Sequence, residues 1–157
     1  FRVFQSSSPN PERSATEWQL LQKPLRDSLL AQFITQPGVI IQTEFPFLWR
    51  IDDQNCLEGV IDLFVLDLAQ RSALLIDWKT NAVNTKGAAD LRGKYRAQIA
   101  AYWKAVSEIT GFEVQAALYS TAAGQLLPFE PAELASEWQR LAQLPPNELR
   151  TTLDDAQ

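Results

Sequence analysis

The 157-residue chain contains no histidine, no methionine and one cysteine, Cys56. Without imidazole, this chain cannot form a His-based hydrolytic triad or an H-E-x-x-H zinc centre. A single thiol excludes an intramolecular disulfide framework and any zinc site or iron–sulfur cluster held by four cysteines of the chain. No apolar run approaches the ~20 residues of a membrane-spanning helix, and no signal-peptide pattern opens the sequence. What stays open is the chemistry of carboxylates, lysine, hydroxyls and hard, oxygen-bound metal ions. A chain that starts at Phe1 and lacks methionine is expected to be a piece of a longer protein.

What is present is ordinary in bulk and uneven in distribution. With 46% hydrophobic and 21% charged residues, a folded core is feasible, and the length fits a single domain over residues 1–157. A net charge of −5 and a pI of about 4.7 argue against a free-standing nucleic-acid binder. Between Lys79 and Lys104, however, the chain carries a net +5, leaving −10 for the remainder. Such a segment is either a solvated helix face or an anion-facing patch beside a reactive centre.

Residues 1–16, which include QSSSPNPERSAT, read as a loop or connector. Residues 17–36 form a helical lead-in, with Trp18, Leu21, Leu25, Leu29 and Phe33 at helical spacing, broken at Pro24 and stopped by Pro37-Gly38. Strand-like runs follow at Val39–Ile51, Leu57–Leu68 and Ala73–Lys79, and their short polar connectors predict two consecutive hairpins. Leu91, Tyr95, Ile99, Tyr102, Val106 and Ile109 mark a helix over 90–110, ended by Gly111. Val114–Ser120 is a further strand, Gln125–Phe129 a returning one, and 130–145 holds a closing helix, with the last residues frayed. The order gives an α/β fold, a mixed β-sheet flanked by helices.

Three ionisable residues interrupt strands that otherwise ask for burial: Asp62 in GVIDLFVL, and Asp77 and Lys79 in ALLIDWKT. Residues two apart share a strand face, so Asp77 and Lys79 project together while Ile76 and Trp78 enter the opposite layer. If the runs pair in neighbouring register, Asp62 lies beside Asp77, and two adjacent carboxylates need a proton or a cation between them. Mg²⁺ or Mn²⁺ suits such oxygen donors. The structural alternative is a buried Asp–Lys ion pair without a catalytic role. It is the better account of any one of these residues and the poorer account of all three.

Gly59–Asp62 (GVID), then Ile76–Asn81 (IDWKTN), then Tyr95, Gln98 and Tyr102 on one helical face resemble the PD-(D/E)xK nuclease superfamily. The nearer likeness is to the RecB- and AddA-type nuclease domain at the C-terminal end of UvrD/Rep-type helicases. It covers residues 38–120, including Glu44-Phe45-Pro46-Phe47. The resemblance implies a restriction-endonuclease-like core in which Asp62, Asp77 and the Trp78 backbone carbonyl hold Mg²⁺ or Mn²⁺. Glu44 is a further candidate ligand, directly or through water, with a strand-neighbour pairing as the alternative. Lys79, Gln98 and Tyr102 join the two aspartates as catalytic residues, and Lys86, Arg92, Lys94, Tyr95 and Arg96 face nucleic acid. Glu58 reads as an exposed hairpin residue.

The same resemblance implies DNA hydrolysis to 5′-phosphate ends in the cytoplasm. The enzyme would be an exonuclease working with a helicase domain of the same chain and a second helicase–nuclease subunit, in double-strand break repair, with no membrane partner. Two departures stand out. The histidine usual upstream of the first strand is missing, and Cys56 alone cannot hold the iron–sulfur cluster of another branch, so no Fe–S cluster is expected. The alternatives are a catalytically silent nuclease fold serving as a scaffold or DNA-end-binding arm, and a carboxylate-pair glycosidase. The glycosidase leaves Lys79, Gln98 and the basic segment unexplained.

Overall fold

In the computed structural model, which describes residues 37–80, 87–121 and 123–154, three consecutive strands follow the Pro37-Gly38 turn. The connector over 1–16, the helical lead-in up to residue 36 and Lys86 lie outside the described residues. Strands β1 (Val39–Arg50), β2 (Cys56–Asp67) and β3 (Ser72–Lys79) make the two expected antiparallel hairpins. Helix α1 (Gly87–Thr110) then crosses over, so β4 (Glu113–Ser120) pairs parallel to β3, and β5 (Gln125–Phe129) returns antiparallel to β4. The five strands run in sequence order across one mixed sheet. Gly111, at φ +66, takes the left-handed conformation that ends α1, and its N–H donates to the Ser107 carbonyl.

Each sheet face carries an apolar cluster. On one face, Ile61, Phe64, Leu75, Ala116 and Leu118 pack with Leu91, Tyr95, Ile99, Tyr102 and Val106 of α1. Of the apolar stripe expected on that helix, only Ile109 is exposed. The other face carries Leu63, Val65, Leu74, Ile76, Ala117 and Tyr119, with Trp78 half-buried against them. Trp49, Trp103 and Trp138 flank the first cluster.

The closing segment differs from expectation. Helix α2 spans Pro131–Leu141, beginning at a proline and ending at the Ala142 cap, and a separate helix α3 spans Pro146–Asp154 where frayed residues were expected. Proline fits the first turn of a helix and not its interior, so Pro145-Pro146 divides the segment instead of merely ending it. Leu149 and Leu153, four apart on α3, then pack on the first cluster. Among the described residues no helix is long and apolar enough to cross a membrane.

Candidate active site

The site begins with an irregularity in β1 and β2. Phe45 and Ile61 pair, as do Thr43 and Leu63, but Glu44 and Asp62 between them do not, and Glu44 adopts φ +50. Ile61 belongs to the helix-covered cluster whereas Leu63 belongs to the opposite one. A regular strand would keep both on one face. The inversion falls at Asp62 and frees its side chain from the alternation.

Asp62 uses that freedom to reach across to β3. Its Oδ2 accepts the Trp78 N–H at 2.6 Å. The β2–β3 ladder ends at Leu63 and Ile76, while β3 remains paired with β4 as far as Lys79 and Ser120. The aspartate therefore satisfies a backbone donor that has lost its strand partner, and β2 and β3 diverge beyond it.

A cavity of about 630 Å³ occupies this divergence. Gly59, Val60 and Asp62 line it from β2, and Asp77, Trp78 and Lys79 from β3. Gln98 and Tyr102 close it from α1; Pro46, Phe47 and Glu58 complete the rim. All five residues expected to be catalytic are thus brought together.

Inside the cavity the polar groups form a directed chain. The Lys79 Nζ stands 2.8 Å from Asp77 Oδ2, both side chains being almost fully buried. That approach is an ion pair without hydrogen-bond geometry, and Oδ2 has no well-aligned donor. The ammonium does donate to Gln98 Oε1 at 3.0 Å, and it lies 4.2 Å from the centre of the Tyr95 ring. Because an ammonium only donates, the Gln98 oxygen must face Lys79, and its Nε2 then donates to the Tyr102 hydroxyl oxygen at 3.2 Å.

Two groups of the cavity are shifted from their ordinary values. Burial pushes the Asp77 carboxyl above 3.8; the Lys79 ammonium pulls it down and the Asp62 charge pushes it up again. Burial likewise pushes the Tyr102 phenol above 10.0, with the Asp77 and Asp62 charges adding and the Gln98 bond opposing. Tyr102 is therefore a neutral hydroxyl at physiological pH, accepting from Gln98 and hydrogen-bonded to the Val60 backbone.

The other expected site residues sit apart. Glu44 is exposed and does not line the cavity, although the register sets it opposite Asp62. Arg92 pairs with Glu133 of α2 at 2.6 Å and Arg96 with Glu137 at 3.2 Å. Tyr95 is fully buried, and exposed Lys94 lies 4.8 Å from its ring centre. Glu58, expected to be solvent-exposed, is exposed but also lines the cavity. Phe47 and Gly59 fall in the quoted motifs but were given no role in the site. They are direct cross-strand partners, two residues away from the register that pairing Ile51 with Leu57 at the ends of the expected runs would give.

The donor set fits a hard divalent cation. Asp77 and Asp62 both line the cavity, close enough for the Asp62 charge to raise the Asp77 carboxyl, and the Lys79 ammonium is the one cation beside Asp77 among the contacts of the described residues. Among the described residues no three carboxylate or thiolate side chains converge. Mg²⁺ matches such a site, since one or two carboxylates commonly hold it while water and phosphate oxygens complete its shell.

The sequence profile of the PD-(D/E)XK nuclease superfamily matches residues 2–155. No curated protein matches the chain. Among solved structures the chain is similar to the crystal structure of a protein from Eubacterium rectale described as a candidate exonuclease, at a TM-score of 0.58 and 14% identity. The match covers 94% of this chain and 56% of that one, and at this identity it shows a shared fold. With almost its whole length matched and a mixed five-stranded sheet beneath the site, the chain belongs to the PD-(D/E)XK nuclease superfamily.

Proposed function

We propose that this chain is a divalent-metal-dependent deoxyribonuclease, acting as an exonuclease within a cytoplasmic helicase–nuclease that processes double-strand breaks. Nucleases of the superfamily generally use divalent ions such as Mg²⁺. The observation that carries the proposal is the pair of carboxylates, Asp62 and Asp77, lining one open cavity beside the Lys79 ammonium. A purely structural Asp77–Lys79 ion pair has no use for a second carboxylate whose charge makes Asp77 harder to ionise.

Asp62 and Asp77 would hold the ion, with the Trp78 carbonyl as a third donor. When bound, Mg²⁺ or Mn²⁺ polarises the scissile phosphate and lowers the pKa of water, so that hydrolysis to a 5′-phosphate needs no histidine. The Trp78 N–H fixes Asp62 Oδ2 at 2.6 Å, so that the other carboxylate oxygen would be the one to hold the ion. Lys79, aimed by Gln98, sets a positive charge beside the phosphate where negative charge accumulates. The neutral Tyr102 hydroxyl would hydrogen-bond a phosphate oxygen. Exposed Lys94 lies on the phosphate approach, whereas Arg92 and Arg96 reach DNA only with the charge they do not share with α2. Glu44, exposed and off the cavity, would act through water.

The exonuclease assignment draws on the likeness to the Eubacterium rectale protein, and the motor-coupled setting on the RecB- and AddA-like motifs. The −10 carried outside the basic segment fits a domain that receives DNA from a partner and does not capture it alone. End-labelled linear DNA and closed circular DNA, incubated with Mg²⁺ or EDTA, test the proposal. Mg²⁺-dependent loss of the linear substrate with the circle spared is expected. Cleavage of the circle would make the enzyme an endonuclease, and cleavage in EDTA would remove the metal role.

A further inference from the structure

Gly59 takes no left-handed φ, so its turn chemistry does not explain why a glycine stands there. Space does. A Cβ at this position would lie 2.9 Å from Phe47 Cε1, 2.9 Å from Tyr102 Cε1 and 3.0 Å from Phe47 Cζ. The two rings meet edge to face over the bare backbone, with centroids 5.1 Å apart and planes at 81°. Neither ring is free to yield: Phe47 is 8% exposed and Tyr102 is 6% exposed.

Tyr102 is also the last member of the polar chain that aims Lys79. Its oxygen accepts from Gln98 Nε2, and Gln98 Oε1 accepts from the Lys79 ammonium, which stands 2.8 Å from Asp77. Gln98 is buried and can turn its oxygen nowhere else without setting its amide hydrogens against the ammonium. A displaced Tyr102 ring therefore displaces the amide, and with it the cation.

We propose that Gly59 and Phe47 are positioning residues for Lys79, acting through Tyr102 and Gln98. The bare backbone at 59 admits the Phe47 ring, the ring braces Tyr102, and the braced hydroxyl fixes the amide that fixes the ammonium. The catalytic part of this inference rests on the nuclease reading of the cavity; the packing part does not.

Gly59→Ala, Phe47→Leu and the double variant, each in the full chain, test it through two readouts. The first is kcat and KM for Mg²⁺-dependent DNA cleavage. The second is spectrophotometric titration of the three tyrosines, with Tyr102→Phe identifying the Tyr102 step. Gly59→Ala is expected to lower kcat about tenfold with KM unchanged, because small misplacements of a catalytic group act on the chemical step. The Tyr102 step should fall back toward 10.0 as the ring loses burial.

Leucine lacks Cε1 and Cζ, so Phe47→Leu in the Gly59→Ala background should recover most of kcat and restore the titration. That rescue is an effect that independent losses of stability would not produce. Wild-type kcat and an unmoved Tyr102 step in Gly59→Ala overturn the proposal, as does a kcat loss that Phe47→Leu leaves unrepaired. If Gly59→Ala does not fold, Phe47→Leu alone decides: lowered kcat at constant KM supports the bracing role, and unchanged kcat overturns it. If the wild type cleaves nothing, the nuclease reading fails, and the tyrosine titration still decides whether residue 59 sets the Tyr102 ring.

Discussion

The carboxylate of Asp62 accepts the backbone N–H of Trp78 at 2.6 Å and ends the β2–β3 ladder at the point where the cavity opens. One side chain thus both parts the strands and faces the space between them. Its two duties can be separated by substitution.

Asp62→Asn keeps an acceptor for the Trp78 N–H and removes the charge that opposes Asp77. Its stability should equal or exceed wild type in EDTA. Asp62→Ala leaves the part-buried Trp78 donor unpaired at a cost of about 1 kcal/mol, partly offset by relief of the same repulsion. Urea denaturation of the two variants should separate them in that order, and equal stability would show that water serves Trp78 as well as Asp62 does.

The raised carboxyl of Asp77 makes a signed prediction. In the metal-free protein the folded state holds this proton above 3.8, where the unfolded chain releases it, so ionisation there costs stability. Asp77→Asn should be the more stable protein at neutral pH in EDTA, and its advantage should vanish as the pH falls below 3.8. Thermal melts of both proteins across that range check it. An Asn variant less stable at pH 7 would mean that the Lys79 pair outweighs burial.

Arg92 and Arg96 make the α1–α2 contact. Glu137 is pushed up by burial but held below 4.5 overall by Arg140 and Arg96. Arg96→Gln should cost about 1 kcal/mol, since its guanidinium is half-exposed and Arg140 still pairs with the buried Glu137, and in a Glu137→Gln background the same change should cost less. Denaturation midpoints of the single and double variants measure the coupling; strictly additive losses would remove the pair from the interface.

Lys94 separates phosphate contact from folding. It is exposed, and its contact with the Tyr95 ring contributes about 0.5 kcal/mol. Lys94→Gln should leave stability nearly unchanged and reduce the slope of log affinity against log salt by about 0.7–0.9, the value for one phosphate contact. An unaltered slope would make Lys94 a solvated surface charge.

The main strands, the long helix and the pairing of Asp77 with Lys79 on one face could be read from the residues, whereas the convergence of Gln98 and Tyr102 on them was implied by the likeness to the nuclease superfamily. Strand and helix periods fix which side chains share a face, and ionisable residues in apolar strands demand partners. The paired duty of Asp62 could not, because it arises from a backbone inversion opposite Glu44 that no periodicity announces. Charge counting gathered Arg92, Lys94 and Arg96 into one patch, but helical geometry turns the two arginines toward acidic residues of α2 that lie some forty positions later. Helix α3 escaped because its two leucines look like a sparse tail until a neighbouring surface buries them.

Titration calorimetry with Mn²⁺ tests most directly whether the cavity is a metal-dependent catalytic centre. Wild-type protein should bind Mn²⁺ at a site that Asp77→Ala abolishes, while Arg96→Gln, outside the cavity, retains it. Equal Mn²⁺ binding by wild type and Asp77→Ala would contradict the assignment and leave Asp77 and Lys79 as a buried ion pair.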